Sequence, residues 1–114
     1  MANRRYTDVE RFAWILYAAG SQILDYSGFY ALAIRLLRQA AEAAEKQGDR
    51  QAQGAHLGNL GIAYADLGQY ERAIEHYQQA RAIFEAIGVP HLVKRIDANI
   101  AKARAKLAGD GEAT

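Results

Sequence analysis

Apolar side chains return along this chain at helical rather than strand spacing. Leu57, Leu60, Tyr64 and Leu67 follow an i, i+3, i+7, i+10 order, and Ala73, Tyr77, Ala80 and Phe84 follow i, i+4, i+7, i+11. Either order puts its residues on one side of an α-helix. Strand-like alternation is not sustained anywhere, so the pattern predicts an all-α fold. Gly28, Gly48, Gly68 and Gly88 punctuate the chain at intervals of twenty, with Gly109 one residue past the next interval. Glycine ends a helix readily, because without a Cβ it enters the left-handed conformation just past the last turn. The spacing predicts five helices, at 8–26, 30–47, 50–67, 70–87 and 91–107, folded into antiparallel hairpins by short loops. Thr7-Asp8-Val9-Glu10 has the form of a capping box at the first start. Pro90 stands near the first turn of the last helix, where a missing N–H is harmless.

A twenty-residue rhythm invites a test for a forty-residue repeat. Laying 28–50 over 68–90 pairs Gly28 with Gly68, Tyr30 with Tyr70, Ala33 with Ala73 and Ile34 with Ile74. It also pairs Gln39 with Gln79, Ala40 with Ala80, Glu45 with Glu85 and Gly48 with Gly88. This is the signature of a helix-pair solenoid, in which each pair buries its apolar face against the next. The chain is therefore expected to be one domain over 1–109, with a degenerate repeat at about 8–48, a second at 50–88, a capping helix at 90–108 and a disordered tail at 110–114.

The stretch from Asn59 to Ala80 resembles the tetratricopeptide repeat. The signature L-G-x-x-Y, then A-x-x-x-F/Y, then A, is met by Leu60-Gly61, Tyr64, Ala73, Tyr77 and Ala80. Gly61 and Ala73 are expected to let two helices approach closely, while Tyr64, Tyr70 and Tyr77 fill the gaps between them. The first pair keeps Gly28, Tyr30, Ala33, Ile34 and Ala40 but lacks a clean L-G-x-x-Y. The last segment looks like the opening helix of an unfinished third repeat, with Asn99 forty residues after Asn59 and Ile100 forty after Leu60. Glu85 stands where the commonest version of the family has Pro, and a period near 40 is similar to the lengthened repeats of kinesin light chains and of the sensor arrays in bacterial signalling ATPases.

The resemblance implies a scaffold that binds a protein or peptide in the groove lined by the first helix of each pair. Carried over by position, that groove presents Ala55, Gly58, Asn59, Ile62, Ala65 and Asp66, with Arg95 and Asn99 at the far edge and Gln22 and Tyr26 at the near one. The clamp by which some family members hold the carboxylate tails of chaperones is not expected. Only Asn59 matches it, while Ala18 and Gln22 fall where Lys and Asn are needed. For Asn59, ligand binding and a bond to neighbouring backbone are both open.

Composition narrows the chemistry. The 114 residues are 51% hydrophobic and 10% aromatic, with a net charge of +1, which favours a folded domain over disorder. There is no Cys, which removes disulfides, thiolate zinc sites and cysteine nucleophiles. His56, His76 and His91 lie on different predicted helices without the i, i+4 spacing of a metal site. Ser21 and Ser27 are the only serines, and neither sits in a Gly-x-Ser-x-Gly turn. Gly54, Gly58 and Gly61 fall inside a helix with no following Lys-Ser/Thr, so no phosphate loop is expected. No catalytic residue, metal or cofactor is expected. The polar N-terminus does not read as a secretory signal, and a cytoplasmic protein is the expectation.

Two features bear on partners. Residues 94–114 carry five Lys and Arg against three Asp and Glu, and Arg95, Lys102 and Lys106 form one stripe roughly opposite Ile96, Ile100, Ala103 and Leu107. This reads as the polar outer face that a terminal solenoid helix needs, or as a basic surface for RNA or an acidic partner. The predicted first helix has two apolar stripes. Phe12, Leu16, Ala19, Ile23 and Tyr26 make one, and Tyr6, Trp14, Tyr17 and Leu24 make the other. Covering a large apolar side chain is worth about 1.5–3 kcal/mol, so the second stripe needs an occupant. A second copy of the chain, a ligand in the groove and the chain's own N-terminal segment compete for it. The expected function is a non-catalytic interaction module that self-associates through Tyr6, Trp14, Tyr17 and Leu24. The alternatives are a peptide-binding sensor or docking fragment of a signalling ATPase system and a nucleic-acid binder using the last helix.

Overall fold

The computed structural model describes residues 26–113, which form four helices: α1 (Tyr26–Gln47), α2 (Arg50–Asp66), α3 (Tyr70–Ala86) and α4 (Pro90–Ala113). Among the described residues there is no strand. The expected helix at 8–26 lies outside them, apart from Tyr26.

Three of the glycine intervals are helix ends of one design. Gly48, Gly68 and Gly88 have φ of 76°, 80° and 76°, a conformation that L side chains resist. At each, the glycine N–H and the next N–H reach back to the carbonyls the helix end leaves free. Gly48 and Asp49 donate to Glu45 and Ala44, Gly68 and Gln69 to Ala65 and Tyr64, and Gly88 and Val89 to Glu85 and Phe84. The chain then turns straight into the next helix. Asp49 caps α2, its side chain accepting from the Ala52 N–H at 3.1 Å.

Gly28 and Gly109 behave otherwise. Helix α1 begins at Tyr26 rather than 30 and carries Gly28 in its first turn, and α4 runs through Gly109 to Ala113, past the expected end at 107. A glycine permits the left-handed turn without imposing it, and inside a helix it costs only about 1 kcal/mol relative to Ala.

Each helix packs on its neighbours in sequence, α1 on α2, α2 on α3 and α3 on α4. One core runs through all four: Ile34 from α1, Leu60, Ala63 and Tyr64 from α2, Ala73, Tyr77, Ala80 and Phe84 from α3, and Ile96, Ile100 and Ala103 from α4. Both predicted apolar stripes supply it, although Leu57 and Leu67 are only half-buried. The spacing of α2 and α3 is set where rings lie on bare backbone. A Cβ added at Gly61 would lie 2.5 Å from Cδ1 and Cε1 of Tyr77 and 3.1 Å from the Ala73 carbonyl oxygen. One added at Gly54 would lie 2.7 Å from Cε1 of Phe84. The close approach expected at Gly61 and Ala73 is thus present.

Candidate functional site

Helices α2 and α4 are two apart in the chain but adjacent in space, since a Cβ added at Gly58 of α2 would meet Cδ1 of Ile96 on α4 at 3.4 Å. Between them runs a groove. Its first part, a cleft of about 280 Å³, is bounded by Ala55, Asn59 and Ile62 of α2 and by Leu92, Arg95 and Asn99 of α4, with the buried Phe84 and Ile96 beneath. The second, about 790 Å³, shares Ile62 and Asn99 with the first and continues past Ala65 and Asp66 toward Lys102 and Lys106. Helical periodicity explains the lining. Positions 55, 59, 62 and 66 on α2, and 92, 95, 99, 102 and 106 on α4, each recur at steps of three, four or seven, so each helix turns one stripe toward the groove.

The structure therefore brings together eight residues expected in the groove: Ala55, Gly58, Asn59, Ile62, Ala65, Asp66, Arg95 and Asn99. Gln22 lies outside the described residues, as do Tyr6, Trp14, Tyr17 and Leu24. Tyr26, expected at the end of a preceding helix, is the first residue of α1. Two parts of the groove go beyond the positions expected from the repeat. Phe84 and Gly54 reach the first cleft because the ring lies across the glycine, a contact between residues thirty positions apart. Lys102 and Lys106 border the second part, and here a signal was present. They share a helical stripe with Arg95 and Asn99, both expected at the groove's far edge, although by spacing alone that stripe suits an outer face equally well.

The groove's charges are unequal in their engagement. The Asp66 carboxylate accepts a hydrogen bond from the Tyr30 hydroxyl at 3.1 Å. Burial pushes the Tyr77 phenol above its ordinary value, and the Asp66 charge adds to the shift. Arg95, Lys102 and Lys106 are exposed, and among the described residues none of them has a carboxylate partner.

Three cations away from the groove are engaged: Arg38, Arg72 and Arg81. On the opposite side of α2, Arg38 donates to the Tyr64 hydroxyl at 2.9 Å, and the Tyr64 ring stacks on His76 at 5.2 Å with Arg72 over its face at 5.7 Å. Across α3 and α4, Arg81 holds Asp97 at 2.6 Å and Glu85 at 3.2 Å. The hydrogen bond to Asp97 and the two carboxylate charges raise the Arg81 pKa.

Among the described residues no group of three or more His, Asp or Glu side chains is placed to hold a metal ion. No helix among them is long and apolar enough to cross a membrane. The groove offers amide side chains, an exposed aliphatic side chain, a carboxylate and cations, all able to make non-covalent contacts.

A family model for the tetratricopeptide repeat matches residues 12–86, more than half of the chain. No curated protein and no solved structure matches it. Tetratricopeptide repeats are in general non-catalytic modules that bind proteins or peptides. The matched span takes in α1, α2 and α3 together with the L-G-x-x-Y and A-x-x-x-Y positions whose packing is described above, and the chain belongs to the tetratricopeptide repeat family.

Proposed function

We propose that this chain is a peptide-binding module that holds a segment of another protein along α2 and α4. The observation that carries this reading is the convergence of Ala55, Asn59 and Ile62 of one helix with Arg95 and Asn99 of another on a single cleft. Asn59 and Asn99 each bring a donor and an acceptor for peptide backbone, and Ile62, 43% exposed, offers apolar surface beside them. The test is selection of binders from a random dodecapeptide library displayed on phage, using the full chain and its Ile62→Asp variant. Peptides recovered on the wild type are expected to lose binding to the variant while its helical circular dichroism stays unchanged. Peptides that bind both alike would sink the groove reading.

A second reading, self-association, is supported by the sequence pattern of Tyr6, Trp14, Tyr17 and Leu24, four apolar residues on one stripe of the expected first helix. Light scattering is expected to show a mass that rises with concentration and drops in Leu24→Glu. A strict monomer at every concentration would end that idea. The forty-residue spacing of equivalent positions fits a lengthened repeat, and so leaves room for a sensor or docking role beside a signalling ATPase.

A further inference from the structure

Where α2 ends, Tyr30, Tyr70 and Tyr77 gather about a single carboxylate, that of Asp66. The Tyr30 hydroxyl donates to Oδ2 of Asp66 at 3.1 Å. Tyr70 and Tyr77 line the same part of the groove as Asp66, the space of about 790 Å³. Tyr77 is close enough that the Asp66 charge adds to the rise that burial produces in its phenol pKa. The helix itself gains nothing from an acid there. Asp66 is the last residue of α2, where the helix carbonyls already concentrate negative charge, and no basic residue stands in that last turn. Nor does the repeat call for one. Tyr70 follows Tyr30 by forty residues, but forty after Asp66 stands Lys106. The carboxylate therefore sits on the negative end of a helix dipole, at a cost to that helix, and a hydroxyl from α1 holds it in place.

We infer that this end of the groove seats one basic side chain of the bound segment, between the Asp66 carboxylate and the tyrosines, a conclusion that rests on the peptide-binding reading above. The helix end and the carboxylate supply negative potential, Tyr30 keeps the carboxylate oriented, and Tyr70 and Tyr77 give an aromatic border beside which a cation is stabilised. Arginine suits the place better than lysine, since a planar guanidinium both stacks on a ring and forks onto a carboxylate. Lys102 and Lys106 border the space from α4. Their charges ride on long exposed stems that can turn to solvent, so they leave room for one cation but weigh against a polybasic run.

Two other roles for Asp66 fit less well. As a structural partner of Tyr30 it need only accept a hydrogen bond, which a neutral amide does without placing a charge on the helix end. As an internal partner for the groove's lysines it would hold one of them, yet the ion pairs of the described residues are those of Arg81, although Lys102 and Lys106 border the same space.

The same phage-displayed dodecapeptide library tests the inference, with the full chain, Asp66→Asn and Ile62→Asp as baits. Asp66 is exposed, and Asn keeps its shape and an acceptor for Tyr30, so the variant is expected to fold, which unchanged circular dichroism verifies. The wild type is expected to recover peptides that depend on Ile62 and share one Arg or Lys. Replacing that residue by Gln is expected to weaken binding to the wild type about tenfold or more, read by fluorescence anisotropy, and binding to Asp66→Asn by less than about twofold. Peptides that depend on Ile62 but share no basic residue, that need a run of basic residues, or whose basic residue matters equally in Asp66→Asn, would overturn the inference and leave the groove reading standing. A structural role for Asp66 gives the last of these results. Peptides that ignore Ile62, or a selection that recovers none, would overturn both.

Discussion

The interface between α2 and α3 and the junction of α4 with these two helices are built on different rules. Between α2 and α3, ring carbons lie against backbone that has no Cβ, with Tyr77 on Gly61 and Phe84 on Gly54, and neither position has room for a methyl group. Where α4 docks, the space is filled by the buried aliphatic side chains Ile96, Ile100 and Ala103, and a Cβ added at Gly58 would lie an ordinary 3.4 Å from the flexible tip of Ile96. The first arrangement fixes the separation of two helices at the level of the main chain. The second fixes it through side chains that can change rotamer. A repeat protein needs both: a rigid hairpin as its unit, and a junction between units that tolerates variation. The groove lies along that junction, and its floor includes Phe84, which belongs to the rigid pair.

This contrast can be broken by experiment. The largest effect is expected from Gly61→Ala, where a methyl 2.5 Å from the Tyr77 ring and 3.1 Å from the Ala73 carbonyl must push two helices apart. Overpacking of this kind costs about 1–3 kcal/mol, read as a lower urea midpoint. In a Tyr77→Leu background the same substitution is expected to cost clearly less, and an equal cost in both backgrounds would show that the ring is not what sets the spacing. A smaller effect of opposite sign is expected from Gly58→Ala. The new methyl meets only the Ile96 tip, and replacing a helical glycine is worth about 0.5–1 kcal/mol, so the midpoint should rise. A drop as large as that of Gly61→Ala would erase the distinction between the two interfaces. The smallest effect is expected from Asp97→Ala, which breaks the ion pair with Arg81 across α3 and α4. Water serves exposed partners nearly as well, so the thermal midpoint should not move measurably in moderate salt.

Helix identity and most helix ends were legible along the chain because their causes are local. The apolar period of Ala73, Tyr77, Ala80 and Phe84 and the glycines at 48, 68 and 88 act within one or two turns. The close approach of α2 and α3 at Gly61 and Ala73 was legible for another reason, since the two positions belong to a recurring motif. Gly28 shows the limit of local reading. It fits the rhythm, but it lies within α1 instead of ending a helix. In the groove, Ala55, Asn59, Ile62, Asp66, Arg95 and Asn99 could be named from their positions in the repeat. The Phe84 floor and the bond from Tyr30 to Asp66 could not, because each joins side chains thirty or more residues apart.

Sequence alone was enough for the helices ending at Gly48, Gly68 and Gly88 and for the apolar stripes of α2 and α3, since periodicity and backbone conformation act over a few residues. The direction in which the polar side of α4 looks depends on packing. Its rotation about its own axis is set by Ile96, Ile100 and Ala103 seated in the common core. That docking turns Arg95, Lys102 and Lys106 to the border of the groove, although by their spacing alone they suit an outer face equally well. A helix specifies which of its residues share a side, but the neighbour that side meets is chosen by packing between residues far apart in the chain.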